Sequence, residues 1–226
     1  MNDRSKLNIE ECWYDKRLPG IYMSKQRQWP KILSQPNGQI LLSYVNNNIK
    51  STDLNAIDLG CGACSLAQAI QFKSYTGYDL DHMIENVAKA AVNEFEMKTQ
   101  EIDFIKGDFY RDDMSFLSNY DIIASSGFLD VSHDPLYCFS TMLEYASRYV
   151  LVHRQMITDH PTDFFPEASY LGSNSSLTCN INKNDLDDVL KKFDMKILHF
   201  ENLPDCSTVY KNHNRRRSTF LLEKNK

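Results

Sequence analysis

Two glycines and three carboxylates stand at the ends of short apolar runs, in types and spacings suited to holding a nucleotide-like ligand. The run Ala56-Ile57-Asp58-Leu59 leads into Gly60-Cys61-Gly62 and then directly into a helical pattern. Glycine at 60 permits a tight turn, and glycine at 62 lets a ligand approach the backbone. The helix start beyond offers unpaired amide hydrogens to an anionic group. The segment Thr76-Gly77-Tyr78-Asp79-Leu80 follows about twenty residues later, where a strand-end acid accepts hydrogen bonds from ribose hydroxyls in doubly wound sheets. Ile105-Lys106-Gly107-Asp108-Phe109 adds a third strand-end carboxylate, suited to an exocyclic amine, with Phe109 or Leu80 flanking a ring.

Imidazoles are the second resource, since their charge changes near neutral pH. His133 lies just before a helix and His153 closes a strand; both are candidate general bases. Arg154, next to His153, and Tyr170, in the long segment that follows, are candidate contacts to a substrate. The plainer alternatives are caps and turns for the aspartates and ordinary polar surface for the histidines. Cys61-Gly62-Ala63-Cys64 has the spacing of a redox or zinc pair but lacks a second such pair or paired histidines, so no metal site is expected. A dinucleotide fingerprint would require a third glycine at position 65, where Ser65 stands.

Parallel strands joined by crossover helices would bring these residues together. The strand candidates are 55–59, 74–79, 102–106, 120–125, 148–153, 196–202 and 218–223. Helical patterns fall at 65–72, 81–95, 135–146 and 184–193, the third with Asp134 as cap and Pro135 in the first turn. Residues 1–54 read as an extension of one or two helices with a turn at Pro36-Asn37-Gly38. Trp13, Tyr14, Tyr22 and Trp29 give that extension its apolar area. Residues 157–181 follow neither period and read as a long loop. The short link 203–217 favours an antiparallel hairpin at the sheet edge.

The chain resembles the seven-stranded, Rossmann-like class I S-adenosylmethionine-dependent methyltransferases of the small-molecule type. The resemblance rests on Asp58-Leu59-Gly60-Cys61-Gly62, Gly77-Tyr78-Asp79, Gly107-Asp108 and Tyr120-Asp121-Ile122-Ile123-Ala124-Ser125-Ser126, in order and at the expected distances. It implies a doubly wound α/β sheet in the order 3-2-1-4-5-7-6, with the seventh strand antiparallel and S-adenosyl-L-methionine as cofactor. On that likeness Asp58, Gly60 and Gly62 hold the amino-acid part of the cofactor, Asp79 the ribose and Asp108 the adenine. Cys61, Leu80, Phe109 and Ser125 complete the pocket. Cys64 stands where the family pattern has its third glycine, and Val131 where small-molecule members often have histidine. The implied reaction is O-methylation of a small metabolite such as a sugar or a secondary-metabolite precursor. The alternatives are an RNA or protein methyltransferase and a protein that binds the cofactor without turnover.

A chain of 226 residues suits one α/β domain, here residues 55–226 behind the extension 1–54. The net charge of -5 disfavours a nucleic-acid partner. No apolar run reaches the ~20 residues that span a bilayer, and the polar start lacks a secretory core, so a cytoplasmic location with reduced thiols is expected. The expected partner is the small-molecule acceptor; a homodimer is the one protein assembly entertained.

Overall fold

The structure, a computed structural model, describes residues 13–28, 36–169, 172–210 and 213–225, and side chains at 28–38, 165–177 and 204–215 are left aside. The elements of the glycine-turn half follow the sequence reading. Strand β1 (Asn55–Leu59) is buried on both faces and feeds the turn. Helix α3 (Ser65–Ala69) follows it, after α1 (Leu18–Gln28) and α2 (Pro36–Asn48) of the extension. Then come β2 (Ser74–Asp79), β3 (Ile102–Lys106), β4 (Ile122–Ser126), α5 (Pro135–Tyr145) and β5 (Tyr149–Thr158). Between β2 and β3 runs α4, built of Asp81–Met83, a π-turn at Ile84–Ala88 and Lys89–Glu94. The Asp134 carboxylate accepts the Tyr137 amide at 3.1 Å, capping α5, and Pro135 takes the first turn.

The carboxyl half adds β6 (Asp163–Ser169), β7 (Gly172–Asn182), α6 (Lys183–Lys192), β8 (Met195–Tyr210) and β9 (His213–Lys224). One path through the sheet runs β3-β2-β1-β4-β5, and β5 pairs antiparallel with β9, which pairs antiparallel with β8. This is the expected 3-2-1-4-5-7-6 arrangement, with β9 in the place of the seventh strand and β8 in that of the sixth. The added feature is the β6–β7 hairpin, which also joins β5.

Three expectations are corrected. The segment 157–181 is not a loop: β5 runs on to Thr158 and most of the rest forms the hairpin β6–β7. A two-stranded ribbon satisfies its backbone groups pairwise whatever its side-chain pattern, so it leaves no period to read. The turn expected at Pro36-Asn37-Gly38 is the opening of α2, where proline in a first turn misses no hydrogen bond. Helix α3 stops at Ala69, because Ile70 goes extended and the Phe72 amide turns to the Thr99 hydroxyl.

The core divides between the two sheet faces. Ile57, Leu59, Ile123, Val150, Val152, Phe220 and Leu222 pack under α5 and α6. Ala56, Ala124, Leu151 and Leu221 pack under Leu41, Tyr44, Val45 of α2 and Leu66 of α3. A smaller cluster joins Leu18 and Met23 of α1 to Ala63, Met83, Val87 and Ala91, with Trp13, Tyr22 and Leu80 against it. Trp29, named with these aromatics, lies outside the described residues. The extension is thus seated on the glycine turn and on α4.

Candidate active site

The glycine turn is shaped by three left-handed residues at alternate positions. Gly60 has φ +66°, Gly62 φ +46° and Cys64 φ +56°. Glycine tolerates this region freely, whereas at Cys64 it costs about 1–2 kcal/mol. The Gly60 amide donates to the Tyr78 carbonyl at 2.8 Å, tying the turn to the end of β2, and the Cys64 amide donates to the Cys61 carbonyl at 2.8 Å. Space is as tight as the angles. A Cβ at Gly60 would stand 2.8 Å from the Cβ of Phe128, and one at Gly62 2.6 Å from the Tyr22 hydroxyl.

Asp79 closes the turn from β2. Its Oδ2 accepts the Gly62 amide at 2.9 Å and its Oδ1 the Leu80 amide at 2.8 Å. Burial nevertheless pushes its pKa up to about 6. Asp58, only 1% exposed, accepts the Tyr75 hydroxyl on Oδ2 at 2.8 Å, while Oδ1 has no partner. Burial, aided by the charge of Asp79, pushes Asp58 up to about 7. Both folded values exceed the unfolded 3.8, so the extra protons belong to the folded state. Their contribution to stability is present below pH ~4 and fades as pH rises through the folded values.

Asp108 is held from three sides: Oδ1 accepts the Tyr110 amide at 3.1 Å, Oδ2 accepts the Tyr14 hydroxyl at 2.6 Å, and Arg111 Nε lies 3.2 Å away. Phe109 is buried against Phe128 and Tyr137 at centroid distances of 5.5 and 6.3 Å. Leu80 is half-buried beside the turn, and Cys61 and Ser125 are buried at the ends of β1 and β4. In the register Leu59 pairs with both Tyr78 and Ser125, so the ends of β2, β1 and β4 lie side by side. The tyrosines at 14 and 22 are the contacts that motif reading missed. Only the aromatic density of 13–29 signalled them.

The two histidines differ. His133 is half-buried and its ring stacks on Tyr110 at 3.6 Å between centroids. His153 is 1% exposed, and its Nδ1 meets the Thr219 hydroxyl at 2.7 Å. Burial, helped by the Arg154 charge, lowers its pKa to about 3. A ring so placed is a poor general base: it faces a neighbouring strand and resists protonation at any working pH. Its ring-proton NMR shift should stay constant from pH 7.5 to 5; titration in that range would show the ring to be solvated. Arg154 sits at φ +70° in a bulge of β5, half-buried. Tyr170 lies outside the described residues. No group of metal-ligating side chains is found among the described residues.

Residues 57–146 match the family model described as a methyltransferase domain. No curated protein matches the chain. Among solved structures, magnesium protoporphyrin IX methyltransferase of Synechocystis PCC 6803, with bound SAM, is similar at 13% identity and a TM-score of 0.60, over 98% of this chain and 100% of that one. CalS10 of Micromonospora echinaspora, an amino pentose methyltransferase of calicheamicin biosynthesis, is similar at 9% identity and a TM-score of 0.59, over 91% and 97%. The 1,6-didemethyltoxoflavin-N1-methyltransferase of Burkholderia thailandensis follows at 14% and 0.56, over 92% and 85%. At these identities the likeness is one of fold.

Proposed function

We propose, for a chain that carries a methyltransferase domain on the class I sheet, that it transfers the methyl group of S-adenosyl-L-methionine to a hydroxyl oxygen of a small metabolite. The observation that carries the reading is the join of the glycine turn to β2. Asp79 bonds the Gly62 amide, and beside it the buried Asp58 keeps one oxygen unpartnered. An orphaned carboxylate oxygen next to two left-handed glycines fits a ligand that brings both a backbone-like edge and positive charge. The cofactor supplies a methyl carbon activated by a sulfonium.

The chain's part is alignment and proton handling. Asp58, Gly60 and Gly62 hold the amino-acid end, Asp79 the ribose and Asp108 the adenine. Holding two reactants in line contributes roughly 7–11 kcal/mol in favourable cases. A hydroxyl acceptor must also lose its proton. His133, fixed in orientation by its stack on Tyr110, is the base we assign. The net charge of -5 favours a small acceptor over RNA. No described helix is long and apolar enough to cross a membrane. We read residues 1–54 as a cap on the cofactor half of a domain spanning 55–226.

Two outcomes follow. His133→Ala should lower kcat by about 10²–10⁴-fold with a hydroxyl acceptor while leaving cofactor affinity intact. Unchanged turnover would remove the base from the account. Because Asp79 and Asp58 accept hydrogen bonds most strongly when ionised, cofactor affinity should rise about tenfold or more between pH 5 and pH 8. Calorimetric titration across that range checks this, and a flat profile would show that the carboxylates are already charged at pH 5.

A further inference from the structure

Strand β5 outlasts its neighbour. The β4–β5 pairing ends at Ser126 with His153, yet β5 continues to Thr158. One edge of β5 is taken by β9 on both sides of a bulge, so the other edge, that of β4, receives β7, parallel from Met156 with Asn180 to Thr158 with Asn182. The β6–β7 hairpin therefore stands over the carboxyl end of β4, the region where sheets of this kind hold ligands.

At that level the bulge re-aims one side chain. Val152 pairs with Phe220 and Gln155 with Ser218, so three steps on β5 match two on β9, and Arg154 at φ +70° lies within the bulge. Phe220 and Ser218 share a face of β9. Gln155 thus returns to the face of Val152 and of Ser125, which pairs with Val152 across β4. Gln155 is 1% exposed. Its Nε2 donates to the carbonyls of Met156 at 3.0 Å and Cys179 at 3.3 Å, which fixes the amide and turns Oε1 away from both. Neither that Oε1 nor the buried Oγ of Ser125 has a partner. Native folds leave few such atoms unmet.

We infer that Gln155 recognises the methyl acceptor: its Oε1, with Ser125 Oγ on the same face, takes hydrogen bonds from a hydroxyl or amine of a small polar substrate. An amide oxygen only accepts, so the substrate supplies the donor. Two unpartnered acceptors on one face ask for two donors, which favours a polyhydroxylated or amino-substituted molecule over one with a single phenolic hydroxyl. The inference rests on the methyltransferase reading of this site.

The test compares wild type, Gln155→Met and Ser125→Ala at saturating S-adenosylmethionine. One acceptor panel holds monosaccharides and amino sugars, the other phenols and aromatic acids. Turnover is expected in the first panel. In both variants KM for the acceptor should rise about tenfold or more, with kcat within about threefold, and in Gln155→Met cofactor Kd should stay within about twofold. Ser125→Ala removes no bond in the free protein, so it keeps the test valid should Gln155→Met unfold the hairpin. Turnover confined to the aromatic panel, none in either panel, or unaltered KM in Ser125→Ala would overturn the inference while leaving calorimetric binding of S-adenosylmethionine, and the function above, standing. Absence of that binding would instead overturn the function.

Discussion

Gly60→Ala should lower the melting temperature by about 5–15 °C and weaken cofactor binding by more than about tenfold. The left-handed backbone costs about 1–2 kcal/mol once a Cβ is present. Crowding adds about 1–3 kcal/mol, because the new atom would lie 2.8 Å from the Cβ of Phe128. That neighbour is close to the main chain and cannot swing aside as a side-chain tip would. Relief requires either that the turn unwind, breaking the 2.8 Å bond from the Gly60 amide to Tyr78, or that the segment after β4 shift. Both disturb the proposed cofactor site. Gly20→Ala is the control, since nothing lies within 4 Å of its Cβ position in α1; there the helix propensity of alanine should hold or raise stability. Equal behaviour of the two variants in thermal melts would remove the turn from the argument.

Asp79→Asn is the second large effect, expected to raise cofactor Kd by about 30–100-fold, or 2–3 kcal/mol. The carboxylate accepts two backbone amides at once, from Gly62 and Leu80. An asparagine offers one oxygen, so one of those amides would face an NH₂ group. The turn then loses one of its ties to β2, the Gly60 amide bond to Tyr78 remaining, and the ribose loses a charged acceptor. Calorimetry on the folded variant reads this directly. Affinity within about twofold of wild type would show Asp79 to be a turn former only.

The parts of the fold legible in the sequence were those where burial on both faces forces a continuous apolar run. β1 and β4 read that way, and the carboxylates at or just beyond the ends of β1, β2 and β3 were visible because strand ends are where the strand patterns break. Capping was equally readable at Asp134-Pro135, where local chemistry decides the geometry. The β6–β7 hairpin was not, because its ribbon takes stability from main-chain pairing and carries no side-chain period. Nor could spacing reveal that Arg154 lies in a bulge, since a bulge is set by how two strands meet and not by either alone. For the same reason Gln155 escaped notice: its direction depends on a register fixed only in the assembled sheet. His153 shows the converse error. Strand-end position suggested access, but continuation of β5 and the packing of Thr219 enclose the ring.

Tyr14 and Tyr22 tie the extension to the site at both ends, one on Asp108 and the other over Gly62. The extension and the glycine turn are therefore one packed unit in this structure, through the cluster of Leu18, Met23, Ala63 and Val87. That coupling is why a change at the turn should be felt in thermal stability as well as in affinity.

The central claim is that the turn from Asp58 to Cys64, with Asp79 and Asp108, holds S-adenosylmethionine. Isothermal titration of the purified chain with S-adenosylmethionine, its demethylated product and NAD tests it most directly. The account predicts saturable one-to-one binding of the first two and no heat from the third. Binding of NAD in place of the sulfonium compound, or of neither, would contradict it.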